Sequence, residues 1–216
     1  GSGPAGQKAA IQASKAGKRA AIVEQERGVG GACVHRGTIP SKTLRETALR
    51  VASCKLGADV AEFRLREGIE VASLMTRLDA VVGAHADYMS RQLDRNGVRY
   101  LHGRARFTSP RELAVRSIDG SMRTLHADVF VLATGSRPRT PADVPVDHEN
   151  ILDSDSILSM IYLPRTLAVL GGGVIASEYA SIFAQLGVEV TMIDKTDRPL
   201  KFVDAELTQR FVSAFE

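Results

Sequence analysis

Residues 166–194 read TLAVLGGGVIASEYASIFAQLGVEVTMID, and this stretch decides the fold. TLAVL is a short aliphatic run of the kind that forms a buried strand, and an apolar helical stretch follows the glycine turn Gly171-Gly172-Gly173 as far as Leu186. Gly187 stops that helix, and VEVTMID makes a second strand ending on Asp194. Strand, glycine turn, helix, strand and terminal carboxylate are the parts of a dinucleotide-binding βαβ unit. The turn lets backbone approach a pyrophosphate, the helix N-terminus offers free N–H groups, and the carboxylate meets a ribose.

The same order occurs at the start of the chain. Gly1-Ser2-Gly3-Pro4-Ala5-Gly6 opens a helical stretch to Ala16, Gly17 ends it, and KRAAIVE is a strand closing on Glu24. Gly1 permits the tight turn, Gly3 admits a pyrophosphate, and Gly6 allows close helix–strand packing. Gly1 stands to Glu24 as Gly171 stands to Asp194, so the two units are in register and imply two different nucleotides. Between them a helical pattern runs from about 71 to 96, with Gly97 as its C-cap. Three strand-like runs follow, VRYLHGRARF, RELAVRS and TLHADVFVLAT, separated at Ser109-Pro110 and Asp119-Gly120 as in a β-meander. Pro138, Pro141 and Pro145 punctuate the connector to the second unit. The expected fold is α/β: two Rossmann-like, three-layer, mostly parallel nucleotide-binding domains, at 1–147 and 148–216, the first with a β-meander insertion. The strand that should feed the first turn and the rest of the second domain are expected to lie outside the sequence, leaving both domains incomplete.

Residues 30–42, GGACVHRGTIPSK, carry Cys33 but place Thr38 where a partner thiol would stand. A thiol pair accepts two electrons and passes them to a disulfide, whereas a thiol and a hydroxyl do not. Only two cysteines are present, Cys33 and Cys54, and neither they nor the five histidines show metal-ligand spacing, so no metal is expected. So few cysteines point to a reducing, cytoplasmic compartment. Cys54 reads as a buried structural thiol, with no Cys33–Cys54 pairing expected, and His35 as a loop residue without a role. The net charge is +3, and arginines gather at 95, 99, 104, 106, 111 and 116. Without interleaved aromatics they read as a solvated rim rather than a nucleic-acid platform. No apolar run approaches the roughly 20 residues of a membrane span.

GSGPAG, GGACVHRGTIPSK, VLATGSRP, LDSDSIL and GGGVIASEYA, in this order, resemble the flavoprotein disulfide reductase family. The resemblance implies FAD on the first unit and a nicotinamide nucleotide on the second. It puts Gly1, Gly3, Pro4, Ala5 and Gly6 along the FAD pyrophosphate and Glu24 on the adenosine ribose. Gly31, Ser41 and Lys42 fall among the flavin contacts, and Thr134 and Gly135 close over the cofactor. Lys42 is implied near flavin N5, paired with Glu178, where a cation stabilises the anionic reduced ring. Gly171, Gly173, Val174, Ile175 and Asp194 would hold the nicotinamide nucleotide, and the full-length relatives are homodimers. Three departures from the family pattern stand out: Thr38 for the second cysteine, Ala176 for the third glycine, and Val174 where some relatives carry a tyrosine.

With Thr38 the thiol relay is cut, and Cys33 reads as a residual thiol packed against the flavin rather than a sulfenate-cycling one. The simplest closed cycle is then ping-pong hydride exchange from NADPH through FAD to NAD+. Asp194 suits the free ribose hydroxyl of NAD, while Lys195 and Arg198 suit the 2′-phosphate of NADP. A flavin-dependent reductase of quinones or oxygen, a dihydrolipoamide dehydrogenase-like relative and a non-catalytic FAD-binding fragment remain open at this point.

Overall fold

The computed structural model describes residues 1–56 and 71–215, and only the backbone of 54–56 and 71–73. The side chain of Cys54, read above as a buried thiol, therefore lies outside the described residues. The elements are α1 (Pro4–Lys15), β1 (Ala21–Glu24), α2 (Gly31–His35), α3 (Thr38–Leu56), α4 (Val71–Arg95), β2 (Arg99–His102), β3 (Arg104–Ser109), β4 (Glu112–Arg116) and β5 (Met122–His126). A 3₁₀ turn at Ser156–Ser159 precedes β6 (Thr166–Leu170), α5 (Val174–Gln185), β7 (Glu189–Ile193) and α6 (Ala205–Phe215). Among these helices none is long and apolar enough to cross a membrane. Contacts divide the chain into two compact units, 1–40 with 79–144 and 41–78 with 145–216.

In the first unit β1 and β2 pair in parallel, Ile22 beside Tyr100 and Glu24 beside His102. Ala10 of α1, Ile22, Val29, Leu93 of α4 and Val98 form the core beneath them. β3, β4 and β5 form a separate antiparallel meander. The run VRYLHGRARF is thus not one strand of that meander. Its first half joins the parallel sheet and its second half the meander, with the change of sheet at Gly103 (φ 157°). A Cβ there would stand 2.7 Å from the carbonyl oxygen of Arg116 and 2.9 Å from Val115 Cγ1. A side chain would prevent the close approach that lets the chain switch sheets.

TLHADVFVLAT also departs from expectation. Only its first residues belong to β5, and 129–133 form no ladder with a described strand. Val129 and Leu132 are 78% and 75% exposed. An alternating apolar run says that a segment is suited to a sheet, but a strand also needs a neighbour to bond with.

The second unit pairs β6 and β7 in parallel, Thr166 beside Glu189 through Leu170 beside Ile193. Tyr179, Ile182 and Phe183 of α5 and Leu186 at its C-cap recur at helical spacing and bury against Leu44 and Ala48 of α3 and Leu74 of α4. The helix–turn–strand segments of the two units close their helices in the same way. Lys18 N–H bonds the Ala13 carbonyl and Val188 N–H the Phe183 carbonyl, each at 3.0 Å across a glycine of positive φ. The sequence register therefore extends to the individual hydrogen bonds, and the fold is mixed α/β with parallel sheets.

Candidate functional site

Each unit presents a glycine turn at the start of a helix. Gly3 caps α1 and Gly173 caps α5, both in extended backbone, and neither helix has a side-chain cap. First-turn N–H groups have no intrahelical partner, so both ends are prepared for an anion. A Cβ on Gly3 would meet only Gly31 Cα, at 3.9 Å, and one on Gly173 would meet nothing within 4 Å. The space above both turns is open, which fits a dinucleotide at each.

In the first unit the turn is anchored from below. Glu24, at the end of β1, is buried, and its Oε2 accepts the Ser2 N–H at 2.6 Å and the Ser2 hydroxyl at 2.9 Å. Its Oε1 accepts the Glu26 N–H at 3.0 Å. Gln7 Nε2 donates to the Ser2 carbonyl at 2.6 Å. Burial opposes ionisation of Glu24, but the hydrogen bonds from Glu26 and Ser2 outweigh it and hold the carboxyl below its ordinary 4.5. The carboxylate read from sequence as a ribose ligand braces the turn in this structure. The sequence does not mark Ser2 and Gln7, because x positions of a glycine motif carry no compositional signal of their own.

A folded-state pKa below the unfolded value stabilises the fold above about pH 4.5, and that contribution is lost as pH falls through the folded-state pKa. Glu24→Gln is therefore expected to flatten the acid limb of the stability profile. Denaturant melts between pH 3 and pH 7, a window of roughly one to three units around the ordinary carboxylate range, measure this. Parallel profiles for wild type and variant would contradict it.

Gly31 follows directly and opens α2, which carries Cys33 as a free, half-buried thiol. Thr38 is the first residue of α3, and Ser41, buried, and Lys42 lie on its next turn. His35 bonds the Val29 carbonyl at 3.0 Å and its ring lies against Gly28, a local loop-closing role. Thr134 and Gly135 leave the meander as an exposed irregular segment, and Ala133 just before them lies against Gly1 and Gly6. Arg36 and Arg137 both approach Glu26, at 3.6 and 3.7 Å, an arrangement that sequence spacing did not signal.

In the second unit, Lys42 of α3 donates to Glu178 of α5, two residues that are 136 positions apart. The carboxylate is 18% exposed and the lysine 61%, so the pair keeps one face to solvent. Val174 and Ile175 on the first turn of α5 are both more than half exposed. Asp194 directly follows β7 and lies beside Gly172, its Oδ1 accepting the Lys195 N–H at 2.8 Å and its Oδ2 the Thr196 hydroxyl at 2.7 Å. The Thr196 hydroxyl is the main cause holding the Asp194 carboxyl below its ordinary value, against slight burial and helped by the Lys195 and Thr196 N–H groups.

Lys195 is exposed beside Asp194, but Arg198 is engaged elsewhere. Its guanidinium donates to the Lys201 carbonyl at 3.2 Å, the Val203 carbonyl at 3.1 Å and the Thr208 hydroxyl at 2.9 Å. Those bonds fasten the loop after β7 to the start of α6. Asp194 and Lys195 thus stand side by side, Thr196 joins Asp194 through its hydroxyl, and Arg198 is turned along its own loop. Sequence adjacency gave no indication of how far an arginine side chain reaches along its own loop.

Two glycine turns at uncapped helix starts, a cysteine segment leaving the first and a lysine–carboxylate pair on the helix of the second are the parts of the candidate site. The chain belongs to the pyridine nucleotide-disulphide oxidoreductase family, which matches it over residues 1–216. It is 44% identical over 213 residues to a soluble pyridine nucleotide transhydrogenase of Mycobacterium bovis, covering 97% of this chain and 45% of that protein. The similarly named protein of Chromohalobacter salexigens is 41% identical over 208 residues, covering 96% and 45%. Among solved structures, LpdA from Mycobacterium tuberculosis superposes with a TM-score of 0.88 at 26% identity, over 99% of this chain and 47% of that one. The HOCl-induced flavoprotein disulfide reductase RclA from Escherichia coli gives 0.84 at 26% identity, over 100% and 45%. The chain therefore spans under half the length of these relatives.

Proposed function

We propose that the complete protein is an FAD-dependent oxidoreductase that exchanges hydride between NADPH and NAD+, a soluble pyridine nucleotide transhydrogenase working without a redox disulfide. The observation that carries this reading is the 41–44% identity, over nearly all of the chain, to proteins of that name. Thr38 in the position of a second thiol agrees with it. In this reading residues 1–147 serve the flavin and residues 148–216 the nicotinamide nucleotide, in a cytoplasmic homodimer.

When bound, FAD supplies the two-electron hydride chemistry that no side chain offers. The residues of the chain bind and orient. Gly1, Gly3, Pro4, Ala5 and Gly6 receive the FAD pyrophosphate at the uncapped start of α1, Glu24 serves its ribose, and Gly31, Ser41, Thr134 and Gly135 enclose it. Lys42, held by Glu178, is the fixed cation for negative charge developing on the ring system. Gly171, Gly173, Val174 and Ile175 receive either nicotinamide nucleotide at the start of α5, and Asp194 and Lys195 meet its adenosine ribose. Asp194 suits a free ribose hydroxyl and Lys195 a 2′-phosphate, so one pocket serves both nucleotides in turn.

Alternating use of one pocket predicts ping-pong kinetics. Initial rates of NADH formation by the complete protein, measured against NADPH at several fixed NAD+ concentrations, are expected to give parallel double-reciprocal lines. Intersecting lines would exclude the shared pocket, and reduction of a disulfide substrate in place of NAD+ would exclude the proposed activity.

A further inference from the structure

Ser2 is the most fully engaged residue of the first turn, and nothing in the proposed reaction uses it. Its side chain is completely buried. Its hydroxyl donates to Glu24 Oε2 at 2.9 Å and accepts the Gly30 N–H at 3.2 Å. Its carbonyl also accepts that Gly30 N–H, at 3.2 Å, together with Gln7 Nε2 at 2.6 Å. One residue thus ties three separate segments: the nucleotide turn it belongs to, the carboxylate ending β1, and the glycine pair opening the cysteine helix.

Backbone contact reinforces the tie. A Cβ on Gly31 would stand 2.8 Å from Gly3 Cα and 3.1 Å from Gly3 N, so the two glycines flanking the Ser2–Gly30 bond lie almost against one another. Gly3 caps α1, where a pyrophosphate would bind, while Gly31 is the first residue of α2, two residues before Cys33. Neither segment can shift by much without breaking the Ser2 bonds or moving the other. α2 is only a five-residue helix without a side-chain N-cap, so its geometry is set by what its first residues are attached to.

We propose that Ser2 is a positioning residue through which occupancy of the first nucleotide turn sets the geometry of residues 33–38. An anion that orders the first turn of α1 fixes Ser2, Ser2 fixes Gly30, and the start of α2 follows. By linkage, ordering of the cysteine segment favours an occupied turn to the same degree. This rests on the flavin reading of that turn, and Cys33 enters only as a reporter of its segment.

The test uses the complete protein stripped of flavin, with ADP as the probe. ADP carries the adenosine and pyrophosphate and lacks the flavin ring system. The readout is the rate of iodoacetamide alkylation at Cys33, resolved by mass spectrometry from that at Cys54. Saturating ADP is expected to slow alkylation of Cys33 about tenfold in the wild type and less than about twofold in Ser2→Ala, a loss in the usual range of site-to-site coupling. Ser2→Gly, which keeps the main-chain bonds and removes the whole side chain where Ser2→Ala removes only the hydroxyl, is expected to behave as Ser2→Ala and serves if that variant does not fold. Direct shielding by ADP, or a purely structural role for Ser2, would leave the same ADP-dependent ratio in wild type and variants and overturn the proposal. ADP binding to the wild type without any protection would overturn it with no variant needed. Absence of ADP binding to the wild type would overturn the flavin reading, and the proposal with it.

Discussion

Lys42→Met is expected to slow flavin reduction by NADPH about 100- to 1,000-fold, the usual consequence of removing one preorganised electrostatic stabiliser from a reacting centre. The lysine is fixed in place: it donates to Glu178, whose carboxylate is mostly buried on α5, and the partners come from helices far apart in the sequence. A flexible surface lysine would have to be ordered during the reaction, whereas this one is already oriented before it. Methionine keeps the length and apolar stem of the side chain, so the change isolates the charge. Glu178→Gln keeps a hydrogen-bond acceptor for the ammonium but removes its counter-charge, and a smaller loss of about 10-fold is expected from it. Stopped-flow absorbance of the flavin in the complete protein measures both. The pair is mainly structural if Lys42→Met lowers the melting temperature but leaves the reduction rate within about twofold, a change well under 1 kcal/mol in barrier.

The second large effect is expected at Gly31, whose replacement by alanine should destabilise the first unit by about 2–4 kcal/mol. That sum combines overpacking with a left-handed backbone imposed on a residue with a Cβ. Its φ is 60°, and the added Cβ would meet Gly3 Cα and N, which are backbone atoms unable to rotate aside. Because that clash pushes on the turn at α1, flavin affinity is expected to fall at least about tenfold along with stability. Gly17→Ala is the matched control. Gly17 also has positive φ, 75°, but a Cβ there meets nothing within 4 Å, so only a conformational cost of about 1 kcal/mol is expected. Denaturant unfolding and flavin fluorescence on release measure the two variants. Equal losses at both glycines would show that contact with Gly3 contributes nothing.

The parts of the fold legible in the sequence were those governed by local chemistry. The glycine turns at 1–6 and 171–176, the helices behind them, the strand ending on Glu24 and the strand running up to Asp194 follow from short-range periodicity and from glycines where backbones approach. What was not legible depended on partners distant along the chain. The run at 98–107 looked continuous because Gly103 is one residue among strand formers, yet that residue is where the chain changes sheets. The run at 129–133 has the composition of a strand, but composition does not report whether a neighbouring strand is there to pair with it. At the nucleotide turns the acidic residues were legible and their braces were not. Glu24 holds Ser2, Asp194 is held by Thr196, and Arg198 turns toward Thr208, because side-chain direction follows local packing rather than residue type.

In the proposed cycle, electrons entering from one nicotinamide nucleotide leave on another. Anaerobic reduction of the complete flavoprotein with one equivalent of NADPH, followed by rapid mixing with NAD+, tests it most directly. The flavin absorbance, bleached in the first step, is expected to return in the second with one NADH formed per flavin. Reduced flavin that persists in the presence of NAD+ and is reoxidised only by a quinone, oxygen or a disulfide would contradict it.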